Sequence, residues 1–288
     1  MLAMAVEETG STRPHHDLFY IHVKPPPRAD GSPPSTAPIV FLHGLESCHL
    51  EFSRVTPFLA EFELILVDLP GHSGSKHILP LTLENAANAL FHLIGKKVAG
   101  GKAHIVGLSL GGYVGLELAQ RYPGLVLSLF CTGCAPDSGI RRWVIRQAKI
   151  LSALGIVGSK IANESMFWAP MGVEPHPELR KEFRKNQSMA LLKAGYTAVG
   201  AVALDDLCEI NGVRVAIVAG AKRDSVEDTR KAGMVLSTKN PACKAFVVRE
   251  AVHLCDLQLP ELFAQGVRAW VAGAEMPPDF EELAAMST

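Results

Sequence analysis

Residues 103–121 read AHIVGLSLGGYVGLELAQR. The opening AHIV is a short apolar run of strand type, and the run from Tyr113 onward has helical spacing. Between them stands Gly107-Leu108-Ser109-Leu110-Gly111. A strand that turns at once into a helix forces the residue at the turn into a strained conformation, and only small residues two positions to either side let the two segments pass. The serine oxygen is then exposed at the carboxyl edge of a sheet, above a helix N-terminus whose free N–H groups favour a developing anion. A glycine-rich packing turn is the competing reading, and the strand-turn-helix context favours the nucleophile.

Outward from this turn, short apolar runs alternate with helical stretches, the pattern of strand, crossover helix and parallel strand. Strands are expected at Leu18 to Val23, Ile39 to His43, Leu64 to Asp68, His104 to Val106, Leu125 to Phe130, Val213 to Val218 and Ala245 to Arg249. Several are apolar throughout, as strands covered on both faces should be. The Pro-, Gly- and Ser-rich stretch from Pro25 to Pro38 reads as a surface loop. From Pro136 to Leu207 the strand rhythm stops and helical patterns such as RRWVIRQAKILSALG take over. The expected organisation is a core of 1–135 and 208–288 with a helical cap inserted at 136–207.

A serine at its free pKa is a weak nucleophile and needs a base, and the base needs a group to orient it. Beyond Ser109 the chain should offer an acid after a late strand and then a histidine. Asp224 follows the run VRVAIVAG, and His253 follows CKAFVVRE. His253 would take the serine proton while Asp224 fixes its tautomer. Asp228 is a rival, but with Ser225 as an N-cap it has a structural reason of its own, so Asp224 is the expected acid. Two backbone donors must face the developing oxyanion, one after the nucleophile and one from an earlier loop. Leu110 and Leu45 are the expected donors, with Gly44 allowing close approach and His43 bonding within the loop.

The 288 residues are 48% hydrophobic and 20% charged, with 28 Lys plus Arg against 29 Asp plus Glu, a net charge of -1. Nothing in that balance would neutralise a phosphate backbone, so a nucleic-acid partner is not expected. No apolar run approaches the roughly 18 to 20 residues of a membrane helix, and the opening MLAMAVEETGSTRP lacks the bases and apolar core of a signal peptide. Six irregularly spaced cysteines suggest reduced thiols and a cytoplasmic setting. Cys131-Thr-Gly-Cys134 has redox spacing without the helix that lowers a thiol's pKa, and His15-His16 lacks partners for a metal; no metal site is expected. Within the insertion, Met166, Phe167 and Trp168 are the candidate substrate-binding residues, in a lid that also carries Trp143, Met171 and Met189. That composition favours an apolar substrate, expected to be small to medium in size.

Four motifs in order, FLHGLES (41–47), VDLPGHSGS (67–75), VGLSLGG (106–112) and VHLCDLQLPELF (252–263), make the sequence resemble the α/β-hydrolase family. The resemblance implies an eight-stranded, mostly parallel sheet, a cap over the site, no cofactor and a Ser-His-Asp triad. It also implies that Asp68 and His72 belong to a structural turn beneath the site. The acid departs from the family's frequent G-x-x-D spacing by one residue, and Val252 stands where a glycine is common. The leading expectation is a serine hydrolase for an ester, lactone or thioester. Carbon-carbon bond hydrolysis, acyl transfer or cyclisation with the same triad, and small-molecule reception are the alternatives; epoxide and haloalkane hydrolysis would need an aspartate at position 109.

Overall fold

A computed structural model describes residues 6–8, 17–26, 37–161 and 164–284; the His15-His16 pair and most of the expected loop between 25 and 38 lie outside them. Among the described residues nine strands form one sheet: β1 (Val6–Glu8), β2 (Tyr20–Val23), β3 (Ile39–Leu42), β4 (Leu64–Val67), β5 (Ala103–Leu108), β6 (Val126–Thr132), β7 (Val215–Gly220), β8 (Lys244–Val248) and β9 (Glu281–Glu282). Their spatial order is β1-β2-β4-β3-β5-β6-β7-β8-β9. The pairings from β4–β3 through β7–β8 are parallel, and those of β1–β2, β2–β4 and β8–β9 are antiparallel. β1 to β8 make the eight-stranded, mostly parallel sheet that the resemblance implies, and β9 adds a two-residue antiparallel edge.

The strands are apolar on both faces because both faces are covered. Val40, Leu42, Ile65, Ile105, Leu129 and Ile217 join the core on one side, while their neighbours Phe41, Leu66, Val106, Phe130 and Val218 join the core on the other. Each such side chain contributes roughly 1.5–3 kcal/mol on burial, an upper estimate for a chain whose unfolded state already hides some surface. In chain order the helices are α1 (Leu83–Lys97), α2 (Leu110–Arg121), α3 (Gly139–Ile145), α4 (Ala148–Ile161), α5 (Glu164–Trp168), α6 (Pro177–Asn186), α7 (Met189–Ala201), α8 (Val226–Lys239), α9 (Cys255–Gln258) and α10 (Pro260–Ala272). Helices α1, α2 and α8 cover the first face; α10 and a short 3-10 segment at His49–Arg54 cover the second. The helices start where side chains can take up their first amides, as at Thr82 before α1 and Ser225 before α8. No described helix is long and apolar enough to cross a membrane.

The strand limits differ from the sequence reading in ways that matter for the site. β5 runs on to Leu108, two residues past Val106, so that Ser109 leaves the strand directly. β6 and β7 likewise extend to Thr132 and Gly220, while β2 starts only at Tyr20. The edge strands β1 and β9 read Val-Glu-Glu and Glu-Glu, with no apolar alternation to betray them. β9 is held by its pairing with β8 and by ion pairs of Glu281 with Arg249 and Glu282 with Lys244, both 2.7 Å.

Parallel pairing carries the ends of β3, β5, β6, β7 and β8 to one edge of the sheet, with Leu42 opposite Gly107, Leu108 opposite Thr132, and Thr132 opposite Val218. The segments leaving that edge begin with Gly44-Leu45, Ser109, Gly133, Asp224 and the loop of His253. Helices α3 to α7 occupy the long connection between β6 and β7. Asn186, at the end of α6, ties this connection down: its amide donates to the carbonyls of Glu46 (3.0 Å) and Ser47 (2.8 Å), and its oxygen accepts from the Ser73 N–H at 2.8 Å.

Candidate active site

Ser109 has φ 52 and ψ -117, a conformation that non-glycine residues seldom adopt. The surrounding packing enforces it. A Cβ on Gly107 would lie 2.5 Å from the Gly111 carbonyl oxygen, and one on Gly111 would lie 2.0 Å from that of Leu42. The Ser109 N–H is fixed on the Thr132 carbonyl at 2.8 Å. Leu110 is the first residue of α2, so its N–H has no partner within the helix.

His253 donates its Nδ1–H to Asp224 Oδ1 at 2.6 Å, and Asp224 Oδ2 accepts the Gly220 N–H at 2.8 Å, so the carboxylate is held from both ends. Burial disfavours the imidazolium, but the hydrogen bond and charge of Asp224, with Asp256 and Asp137 adding, outweigh it and hold His253 above its ordinary 6.5. Asp228 sits in the first turn of α8, taking hydrogen bonds from the Ser138 hydroxyl and amide while its own N–H donates to Ser225 Oγ. Burial would raise its pKa, yet these hydrogen bonds keep it below the usual carboxylate value. The structure thus brings Asp224, and not Asp228, to His253. The helix that follows is the short α9, ahead of the one that starts at Pro260.

The loop after β3 is clamped on both sides of Leu45. The Gly44 N–H donates to Glu51 Oε2 at 2.6 Å, and the Glu46 N–H donates to His72 Nε2 at 3.1 Å. His43 donates Nδ1–H to the Gly44 carbonyl (2.7 Å) and accepts the Leu69 N–H at Nε2 (2.9 Å). Burial pushes His43 down to about 4 and His72 to about 3, so both stay neutral and serve as fixed donor-acceptor struts. Asp68 accepts from His49 N–H and Nδ1–H and from the Gly74 N–H. Cys48, His49 and Asp68 gather three potential ligand atoms, of which those of His49 and Asp68 are hydrogen-bonded to each other at 2.9 Å. Cys131 and Cys134 are free and buried.

A cavity of about 320 Å³ joins these parts, and Leu45, Leu110, Ser109 and His253 all line it. Of the three substrate-binding candidates only Phe167 does so. Trp168 needs correcting: it is fully buried and packs edge-on against Phe167 and Phe183 in a small core with Cys48, Val173 and Leu179. Met166 needs the same correction, being 58% exposed and outside the lining. Adjacent helical positions point about 100° apart, so only one of three consecutive residues faces a given cavity. Trp143 and Met189 are also exposed.

Several lining residues went unremarked in the sequence. Glu46, Glu51, Asp137 and Tyr196 face the cavity, and none stands in a pattern that would single it out. Gly133, inside the Cys-Thr-Gly-Cys run, has φ 61, and a Cβ there would lie 2.6 Å from His253 Cε1. Burial pushes Glu46 up to about 7 and Glu51 well above the carboxylate range, with the charge of Asp256 adding to the latter.

Residues 37–155 match a family described as alpha/beta hydrolase fold. An AB hydrolase superfamily protein of Gibberella zeae is 26% identical over 94% of this chain and 98% of its own length. A pimeloyl-[acyl-carrier protein] methyl ester esterase of Methylococcus capsulatus is 36% identical, but over 32% of this chain and about a third (34%) of its own. Among solved structures, a hydrolase from Pseudomonas aeruginosa superposes with a TM-score of 0.64 over 93% of this chain and 98% of its own, at 20% identity.

Proposed function

The chain belongs to the α/β-hydrolase family, and from that premise we propose that it is a serine hydrolase cleaving an ester, lactone or thioester of a small to medium substrate through an acyl-enzyme on Ser109. The observation that carries this reading is the strained serine at φ 52, sharing a cavity with a histidine whose far nitrogen is bonded to Asp224 at 2.6 Å. In this mechanism Ser109 Oγ attacks the acyl carbon as its proton passes to His253 Nε2, and Asp224 stabilises the resulting imidazolium. The amides of Leu45 and Leu110 receive the oxyanion. The tetrahedral intermediate expels the alcohol or thiol, which takes the proton from Nε2. A water then attacks the acyl-enzyme by the same route, giving the acid and restoring Ser109.

Helices α3 to α7 act as the cap over this site, a role supported by Ile145, Phe167, Phe183, Tyr196 and Val199, all of which line the cavity. A volume near 320 Å³ lies at the small end of ligand sites, which suits a short acyl or alcohol part. No metal or nucleic acid takes part, and six free cysteines suit a cytoplasmic setting.

Turnover of p-nitrophenyl esters of graded chain length tests the reading. Ser109→Ala is expected to lower kcat by about 10⁴ to 10⁶ with the fold intact. Retention of more than about a tenth of wild-type turnover, with contamination excluded, would overturn the covalent mechanism.

A further inference from the structure

The cavity beside Ser109 is lined by three carboxyl side chains, Glu46, Glu51 and Asp137, and among the described residues by no lysine or arginine. Glu51 is fully buried; its Oε2 holds the Gly44 N–H, and its Oε1 is buried without a partner. Glu46 Oε1 is likewise buried and unpartnered, on a residue held at φ 70 next to the oxyanion loop. Burial favours the neutral form of Glu51, so the charge that faces the cavity near pH 8 is that of Glu46 and Asp137.

The nearest cations do not reverse the sign of the site. Arg180 attracts Glu46 but lies over the Phe167 ring, 3.8 Å from its centre, outside the lining. Arg141 attracts Asp137, and its guanidinium donates to the Arg223 carbonyl. Asp224 and Asp256 stand behind His253 and add further negative charge. A carboxylate entering the cavity therefore meets acids on several sides and no guanidinium or ammonium to receive it. An uncharged end meets no such repulsion, and a cation meets attraction.

We propose that this cavity takes acyl substrates whose non-reacting end is uncharged or cationic and rejects those that end in a carboxylate, with Glu46 and Asp137 setting the preference. The inference rests on Ser109 being the nucleophile of this cavity. The expected apolar substrate is thereby narrowed to one without an anionic terminus.

The test is a set of phenyl esters of one acyl length ending in methyl, hydroxyl, trimethylammonium or carboxylate, assayed near pH 8. The carboxylate ester is expected to have a kcat/KM at least about tenfold below the methyl-ended one, with the hydroxyl and ammonium esters at or above it. In the double variant Glu46→Gln, Asp137→Asn, the carboxylate-to-methyl ratio should rise by about tenfold or more. A carboxylate ester within about threefold of the methyl-ended one in the wild type, or a ratio unmoved in the double variant, would overturn the proposal. Calorimetric binding of hexanol, hexyltrimethylammonium and hexanoate to Ser109→Ala separates this failure from that of the mechanism. Binding needs no acyl-enzyme, so hexanoate binding as tightly as the others refutes the charge preference even if Ser109 proves not to be the nucleophile. The opposite order of affinities sustains the preference in that same case.

Discussion

Alanine at position 133 would drive a methyl group into the base of the proposed triad. The added Cβ would lie 2.6 Å from His253 Cε1 and 2.7 Å from Nδ1, against an ordinary contact of 3.4 Å or more, so the ring must retreat by about 0.8 Å. The hydrogen bond to Asp224 is 2.6 Å long and cannot absorb such a shift without losing its geometry. A misplacement near 1 Å in a catalytic constellation costs on the order of 10²-fold in rate. Separately, alanine at φ 61 costs about 1–2 kcal/mol of backbone strain, or a Tm lower by roughly 2–8 °C in a chain of this size. Gly100 isolates that second effect, because it has φ 79 and nothing within 4 Å of an added Cβ. Steady-state turnover of p-nitrophenyl acetate, with thermal melts, should therefore find both alanine variants destabilised alike and only Gly133→Ala slowed about a hundredfold. Equal turnover in the two variants would refute the placement of His253 as the base.

Asp224→Asn should lower kcat by about 10⁴ through the wrong imidazole tautomer, while Asp228→Asn should mainly cost a few tenths to ~1 kcal/mol in a denaturant titration; pre-steady-state acylation rates distinguish them. His253 works as a base only when neutral, and Asp224 raises its pKa, so the acid limb of kcat/KM should be centred above 6.5 in a pH-rate profile. The same raised value means that the His253–Asp224 pair stabilises the fold fully below pH 6.5 and loses that contribution as pH climbs through the folded value. Asp256 slopes the same way, because burial pushes it up to about 7: the unfolded chain sheds its proton first, and stability falls as pH rises from about 4 to 7. Asp256→Asn should accordingly raise Tm at pH 8 and gain little at pH 4 in melts at both values.

The sheet is legible in the sequence because strands covered on both faces are apolar at every position, as in Ile39–Leu42 and Leu64–Val67. β1 and β9 are not, since their acidic residues carry no pattern and only the neighbouring strand gives them a partner. The turn at Ser109 is legible for a steric reason. Gly107 and Gly111 are small because the Gly111 and Leu42 carbonyls pass where a Cβ would be, so the nucleophile's strain is written into its neighbours. Asp224 and His253 can be found because parallel topology delivers every late strand to the edge that holds Ser109. The lining of the cavity is a different matter. Met166, Phe167 and Trp168 have similar apolar character, and which of them faces inward depends on how a short helix docks, which composition does not encode. Glu51 is hidden for a related reason: it lies seven residues beyond Gly44, and only the turn through the 3-10 segment at His49–Arg54 brings its carboxyl back to that amide.

In the proposed mechanism the acyl group becomes covalently bonded to Ser109 Oγ. Rapid quenching of the enzyme with p-nitrophenyl acetate in acid, followed by tryptic mass mapping, reads it directly, because cleavage after Lys102 and Arg121 isolates the serine in the peptide 103–121. One acetyl group is predicted on that peptide at Ser109, formed within the burst of p-nitrophenol and missing in Ser109→Ala. Turnover with no acetyl group on the peptide, or with the group on another residue, would contradict it.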